Sequence, residues 1–332
     1  MARIVCIGEA MLELTRDGDG WRLGYGGDTL NTAIHLARAG HDVAYLTAMG
    51  CDPLSAGLKA DWAAEGLDAS LILDHPTRST GLYAISTDDK GERSFSYWRD
   101  TSAAREMFAL PGIEAALTAA DGADLIVYSL ITLAILPPEG REKLFALCKR
   151  VRERGGKVAF DGNYRPRLWV SAEEARAARD VAIACADIGL PTLEDELSLS
   201  ETPNRHAELV SASMPQTSNS SKVAAWTLKQ VQGDDGEADG VNAHWSSLGC
   251  PETIVKLGAD GARLPEGTIL PPPEILRPID TSGAGDAFNG GYLAARMDGA
   301  SVQDAAMAGH KLAGWCVMRA GAIPARDGNA LA

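Results

Sequence analysis

No run of 18 consecutive apolar residues occurs anywhere in the 332-residue chain, so no segment reads as a bilayer-spanning helix. The opening residues, Met-Ala-Arg-Ile-Val-Cys-Ile-Gly8, show no basic stretch ahead of a long apolar one. They run straight into a strand pattern, and the expected compartment is the cytoplasm. Cysteine is scarce and scattered. Cys6, Cys51, Cys148, Cys185, Cys250 and Cys316 make no CxxC pair and no Cys/His ligand spacing, which favours free thiols in a reducing environment over disulfides or zinc. Positive charge is short as well: 31 Lys and Arg stand against 45 Asp and Glu, a net charge of −14 at pH 7. Such an acid excess repels phosphate backbones and anionic lipid, arguing against nucleic acid or a membrane as the main partner. The first strand is not followed by G-x-G-x-x-G; residues 8–14 read Gly-Glu-Ala-Met-Leu-Glu-Leu, which argues against a Rossmann dehydrogenase.

What is present reads as an ordinary globular α/β chain. Hydrophobic residues make up 45% and charged residues 23%, which excludes wholesale disorder. Strand patterns at 3–7, 43–47, 125–129, 158–161 and 188–190 alternate with helix patterns at 29–39, 52–66, 138–155 and 172–186. That rhythm predicts a mostly parallel sheet covered on both faces. Further strands fit 253–256 and 269–270, and two last helices fit 284–297 and 301–319. Residues 80–99 break the rhythm. Gly81–Ser86 and Arg93–Trp98 alternate in polarity around Asp88-Asp-Lys-Gly91, which predicts a β-hairpin acting either as a lid over a cleft or as a structural flap. From about 203 to 235 the chain turns to Ser, Asn, Gln and Thr, a polar surface insertion whose flanks would join as a turn and a helix start.

Two glycine-rich segments carry chemistry. In Asp280-Thr-Ser-Gly-Ala-Gly-Asp286, Gly283, Ala284 and Gly285 immediately precede a helix. Small residues there expose backbone N–H groups that, with the helix dipole, hold an anion. A carboxylate beside that hole, Asp286, can accept a proton from an attacking hydroxyl; Asp capping the helix is the plainer use. In Gly26-Gly27-Asp28-Thr29-Leu30-Asn31, Asp28 and Asn31 lie one helical turn apart and suit a polyol, although Asp28 or Thr29 could simply cap the helix.

The order and wide separation of Gly26-Gly27-x-x-x-Asn31 and Asp280-Thr-x-Gly-Ala-Gly-Asp286 resemble the two signatures of the ribokinase-like (PfkB) family of carbohydrate kinases. Gly8–Leu14, Gly91–Arg99, Leu130–Leu136, Gly156–Trp169 and Gly321–Pro324 extend the likeness to nearly the whole chain outside 203–235. Within the family it is closest to the subgroup acting on keto-deoxy sugar acids. The resemblance implies one three-layer α/β/α domain over 1–332, with a small β lid formed by strands at about 9–25 and 80–100. It implies transfer of a phosphoryl group from ATP, with Mg2+, to the terminal hydroxyl of 2-keto-3-deoxygluconate, Asp286 acting as base. By the same resemblance Gly27, Asp28, Asn31, Tyr83, Tyr97, Arg99 and Arg165 contact substrate, while Asn163, Lys256, Gly258, Gly261, Gly283 and Gly285 serve the nucleotide. Arg99 and Arg165 make chemical sense against a carboxylate, surface ion pairing being the bland reading. Tyr97 and Trp98 could equally pack the lid, and Lys256–Gly261 read alone is a glycine turn. The family's Asn-x-x-Glu metal motif is altered here to Thr192-Leu-Glu-Asp195-Glu196, which leaves Asp195, Glu196 or a water-mediated role open. A homodimer or higher homo-oligomer through the lid is also implied. Kinases for ketodeoxygalactonate, fructose or ribose, and a non-catalytic sugar-binding regulator, are the competing readings.

Overall fold

The apolar run Arg3–Ile7 forms strand β1, and each of its residues after Arg3 is buried. Ile4 and Cys6 point into one core cluster and Val5 and Ile7 into another, as a period of two requires when both faces of a sheet are covered. The computed structural model describes residues 1–87, 93–200 and 231–326. After β1 come β2 (Met11–Asp17), β3 (Gly20–Gly26), α1 (Asp28–Arg38), β4 (Asp42–Gly50), α2 (Pro53–Ala64), β5 (Leu67–Asp68), β6 (Ile72–His75), β7 (Gly81–Thr87) and β8 (Arg93–Trp98). A 3₁₀ turn at Ala103–Ala109 leads into α3 (Ile113–Ala120), β9 (Leu125–Ser129), α4 (Leu130–Ile135), α5 (Pro138–Glu153), β10 (Lys157–Asp161), α6 (Ala172–Cys185), β11 (Ile188–Gly189) and α7 (Leu193–Ser200). The chain then supplies α8 (Val231–Ser247), β12 (Glu252–Thr253), β13 (Val255–Lys256), β14 (Ala262–Arg263), β15 (Ile269–Leu270), α9 (Ala284–Met297) and α10 (Val302–Val317).

The central sheet runs β12-β11-β10-β9-β1-β4-β5, with β6 also on β4, and every pair in it is parallel. Leu30 and Ile34 of α1, Trp62 of α2, Tyr292 of α9 and Ala305 of α10 cover one face. Leu117 of α3, Leu144 and Leu147 of α5, Ala182 of α6 and Trp245 of α8 cover the other. The expected three-layer α/β/α architecture is the one observed.

A four-stranded outer sheet, β3-β2-β7-β8, stands apart from this body. The hairpin predicted at 80–99 is present, β7 and β8 pairing antiparallel with Tyr83 opposite Tyr97; its turn at 88–92 lies outside the described residues. The chain passes between body and outer sheet four times: after β1, after β3, after β6 and after β8.

Three expectations shift. The strand read at 253–256 divides at Ile254. Its first half pairs with β11 in the central sheet, and its second half opens the small antiparallel sheet β13-β14-β15. The Ile254 N–H still donates to Gly189 O (2.8 Å) and the Lys256 N–H to Pro191 O (2.8 Å), so backbone pairing continues across the change of sheet. Within the flank expected to form a turn at 198–202, residues 198–200 are instead the end of α7, and 201–202 lie outside the described residues. Of the polar insertion placed at 203–235, residues 201–230 lie outside the described residues. The remainder is already helical, because α8 begins at Val231 and buries Ala238, Val241 and Trp245 at helical spacing.

Candidate active site

The site residues collect at the carboxyl ends of the parallel strands, where an open α/β sheet places its ligands. Ser129 ends β9, Asp161 ends β10 with Asn163 just beyond it, and Lys256 ends β13. The N-termini of α1 and α9 converge on the same edge, since these two helices pack against each other.

Gly283 is the N-cap of α9, with φ 68°. A Cβ there would stand 2.6 Å from the Ala322 side chain, so glycine is required both for the left-handed turn and for the contact. Asp280 holds the turn from below, accepting from the N–H of Ser282 (2.9 Å) and of Gly321 (2.7 Å). Asp286 therefore lies in the first turn of α9 and does not cap it. The side-chain amide of Asn31 donates to the Asp286 carboxylate (2.7 Å), and Thr32 Oγ1 donates to the Asp286 carbonyl (3.3 Å). The Asp286 carboxyl is pushed up to about 8, by burial first and then by the charges of Asp28 and Asp161, against the opposing effects of Asn31 and Lys256.

Asp28 opens α1, whose N-cap is Gly27, so neither Asp28 nor Thr29 caps that helix. The Asn163 amide donates to Asp28 (3.3 Å). The Asp28 carboxyl is likewise raised, chiefly by burial, with Asp161 adding to the rise and Ser129 and Arg99 countering it. Asn163, expected beside the phosphates, thus meets the residue expected on the sugar.

Lys256 is buried and donates to both oxygens of Asp161 (3.2 and 3.3 Å) and to Asn289 Oδ1 (3.1 Å). Asn289 in turn donates to Asp161 (2.7 Å). A Cβ on Gly285 would lie 3.7 Å from Lys256 Nζ, which puts the ammonium beside the first turn of α9. From that point a cleft of about 710 Å³ opens, with Gly258, Thr281, Ala284 and Gly285 at one end and Pro272, Leu276, Pro278 and Trp315 further along. Gly258 has φ 63° and nothing within 4 Å of where a side chain would be, leaving room for a ligand to approach the backbone. Gly261 also lines the cleft, but a Cβ there would collide with Leu270 O, so its glycine answers to packing against β15.

A family model described as pfkB family carbohydrate kinase matches residues 1–327. The chain belongs to the pfkB family. It is 38% identical to 2-dehydro-3-deoxygluconokinase of Escherichia coli strain K12, with 98% of each chain covered. It is 27% identical to a fructokinase of Klebsiella pneumoniae over 88% of this chain and 83% of the other. The solved structure of 2-dehydro-3-deoxygluconokinase from Thermotoga maritima shares the fold at 20% identity, with a TM-score of 0.75 and coverage of 97% of this chain and 95% of that one.

Other predicted residues of this pfkB chain are placed as follows. Tyr83 is buried in the outer sheet, its hydroxyl bonded to Glu13 and its ring 6.0 Å from that of Tyr97, which is half exposed. Arg99 is buried and ion-paired with Glu9, while Arg165 is half exposed and bonded to Asp195 (3.1 and 3.3 Å). Each arginine already holds a carboxylate of the protein, and they hold different ones. Glu196 is buried with one oxygen 2.8 Å from Arg179, so Asp195 is the carboxylate left on the side of Asp161 and Lys256, whose charges it feels. No group of three or more His, Cys, Asp or Glu able to hold a metal exists among the described residues. Asp195 is a single carboxylate there, not one member of a closed protein cage.

Sequence reasoning missed Glu9, Glu13, Ser129, Asp161 and Asn289. Two carried a usable signal. Asp161 is the last residue of a buried parallel strand, and Asn289 follows Asp286 by three positions on one helix face.

Proposed function

We propose that this chain transfers the γ-phosphoryl group of ATP to the terminal hydroxyl of 2-keto-3-deoxygluconate. The observation that carries the reading is Asp286: a carboxylate in the first turn of α9, held by Asn31, next to the Ala284 and Gly285 end of a nucleotide-sized cleft. The full-length 38% identity to the Escherichia coli enzyme supports the acid substrate over the neutral sugar of the more distant fructokinase.

Asp286 accepts the hydroxyl proton as that oxygen bonds to phosphorus and the bond to the departing ADP oxygen breaks. The N–H groups around Gly283, Ala284 and Gly285 and the Lys256 ammonium hold the negative charge on the transferred group. Asp28 and Asn31 fix the sugar hydroxyls, Tyr83 and Tyr97 cover the sugar from the outer sheet, and Arg99 and Arg165 meet the carboxylate. Asp195 would be the residue to hold a magnesium ion, which would supply positive charge against the phosphate oxygens. Six free cysteines suit a reducing compartment, the cytoplasm. A coupled ADP-release assay over 2-keto-3-deoxygluconate, its galactonate epimer, fructose and ribose tests the reading. The gluconate is expected to give the highest kcat/KM, and preference for a neutral sugar would refute it.

The same reading gives a homodimer through the outer sheet, where Phe95 and Tyr97 on one face and Trp21, Leu23 and Trp98 on the other are 42–60% exposed, apolar surface of the kind that partners cover. Sedimentation velocity at micromolar protein is expected to show twice the 35.0 kDa chain mass; a monomer throughout would rule the dimer out.

A further inference from the structure

The four passages between body and outer sheet meet at one residue. Glu9 follows β1, at the first passage, and is 2% exposed. At the second passage, a Cβ on Gly27 would collide with the Glu9 carbonyl; Gly27 has φ 149° and leads directly into Asp28. At the third, a Cβ on Gly81 would stand 2.8 Å from Glu9 Oε1 and 3.4 Å from Ser102. At the fourth, Arg99 leaves β8 and ion-pairs with Glu9 Oε2, both side chains being at least nine-tenths buried. The passages are further stitched by Ala103 N–H to Ser79 O (2.9 Å).

The pair is not saturated. Glu9 Oε1, Arg99 Nε and Ser102 Oγ are buried and have no hydrogen-bond partner among the described residues. Arg99 also acts electrostatically on Asp28 and lies 6.0 Å from the Tyr97 ring, so its charge reaches the residues proposed to hold the sugar. Neutralising a buried cation is a sufficient reason for an acid to be there, but it does not require that acid to be packed among all four passages.

We propose that Glu9 is a positioning residue for the phosphoryl transfer proposed above, on which this inference rests. Its carboxylate fixes the Arg99 guanidinium where the body and outer sheet join, and so sets the direction in which that cation meets the carboxylate of the sugar acid. Glu9 touches no substrate; it acts through Arg99.

The test is a double-mutant cycle of Glu9→Gln with Arg99→Met, read as KM and kcat separately. Contacting residues that act together couple by roughly twofold to a hundredfold. In the Arg99 background, Glu9→Gln is expected to raise KM for the sugar acid about tenfold. KM for ATP and kcat should stay near those of the parent. In the Arg99→Met background the same change should shift KM less than about twofold. Equal losses in both backgrounds, a rise in KM for ATP instead, or no effect would each overturn the proposal. If Glu9→Gln does not fold, Glu9→Asp keeps the charge, withdraws it by one methylene, and enters the same cycle. Failure of the functional reading shows differently, as a parent protein that does not phosphorylate the acid at all.

Discussion

Asp286→Asn is expected to lower kcat by about 10²–10⁴-fold, the range a positioned general base supplies, while calorimetric affinity for the sugar acid stays within about threefold of the parent. Asparagine keeps the shape and can still accept the Asn31 hydrogen bond (2.7 Å in the parent), so the loss isolates the proton-accepting role. Turnover near that of the parent would remove Asp286 from the chemistry. The pH dependence has a definite sign. Burial, helped by Asp28 and Asp161, lifts this carboxyl from its usual 3.8 to about 8. The ionised base accumulates only as pH rises, so kcat/KM of the free enzyme should climb through about pH 8 and then level off. Stability moves the other way. Folding favours the protonated carboxyl, so its contribution is complete below the unfolded value and is lost as pH rises toward the folded one. The asparagine variant escapes that loss and should exceed the parent by about 1–3 kcal/mol above pH 8, after allowance for solvent screening. Denaturant melts at pH 5 and pH 9 read this directly, and a variant less stable than the parent at pH 9 would contradict the electrostatic account.

Glu196→Ala should be the most damaging single change to the body. Glu196 and Arg179 face each other at 2.8 Å with side chains 3% and 5% exposed, joining α7 to α6. Burial pushes the Glu196 carboxyl up to about 7 even against the pull of Arg179, so by the same linkage this group's contribution weakens as pH rises from about 4.5 to 7. The pair therefore yields little net stability, but removing one member strands the other. That costs about 3–5 kcal/mol, tempered by the bonds Arg179 also makes to Asp180 (2.9 and 3.0 Å). Replacing both residues together, Glu196→Met with Arg179→Met, should recover most of it. Urea titration gives both values, and a loss under about 1 kcal/mol for Glu196→Ala would show the pair to be expendable.

Much of the body was legible because its signals are local. Uninterrupted apolar runs such as Ile4–Ile7 and Leu125–Tyr128 can only be strands buried on both faces, and glycines at 40 and 299 follow their helices closely. The hairpin at Tyr83 and Tyr97 was equally plain from its alternation. Residues whose meaning comes from partners far along the chain were not legible. Arg99 reads as a free cation until folding brings it to Glu9, 90 positions away. Lys256 reads as part of a turn until Asp161 and Asn289 enclose it. The helical onset at Val231 was hidden by polar neighbours, since among the described side chains of α8 only Ala238, Val241 and Trp245 are buried. Of the candidate site, the two glycine-rich helix starts were visible because anion binding needs a particular backbone, which glycine announces. The buried polar bridge between them was not, because Asp, Asn and Lys are common residues that only a fold can bring together.

The turn at Gly283 leans on residues encoded late. Gly321 donates to Asp280, Ala322 fills the space that Gly283 leaves, and the Pro324 carbonyl accepts from Arg38 (2.7 Å). The anion-holding loop is thus seated only after residues 321–324 have been synthesised and have returned to the opening third of the chain. During translation, the sheet and its first helices can assemble while the centre that would split ATP is still unfinished. Loss of residues 321–324 would take from this loop the Gly321 donor to Asp280 and the Ala322 packing against Gly283, while leaving the strands of the central sheet intact.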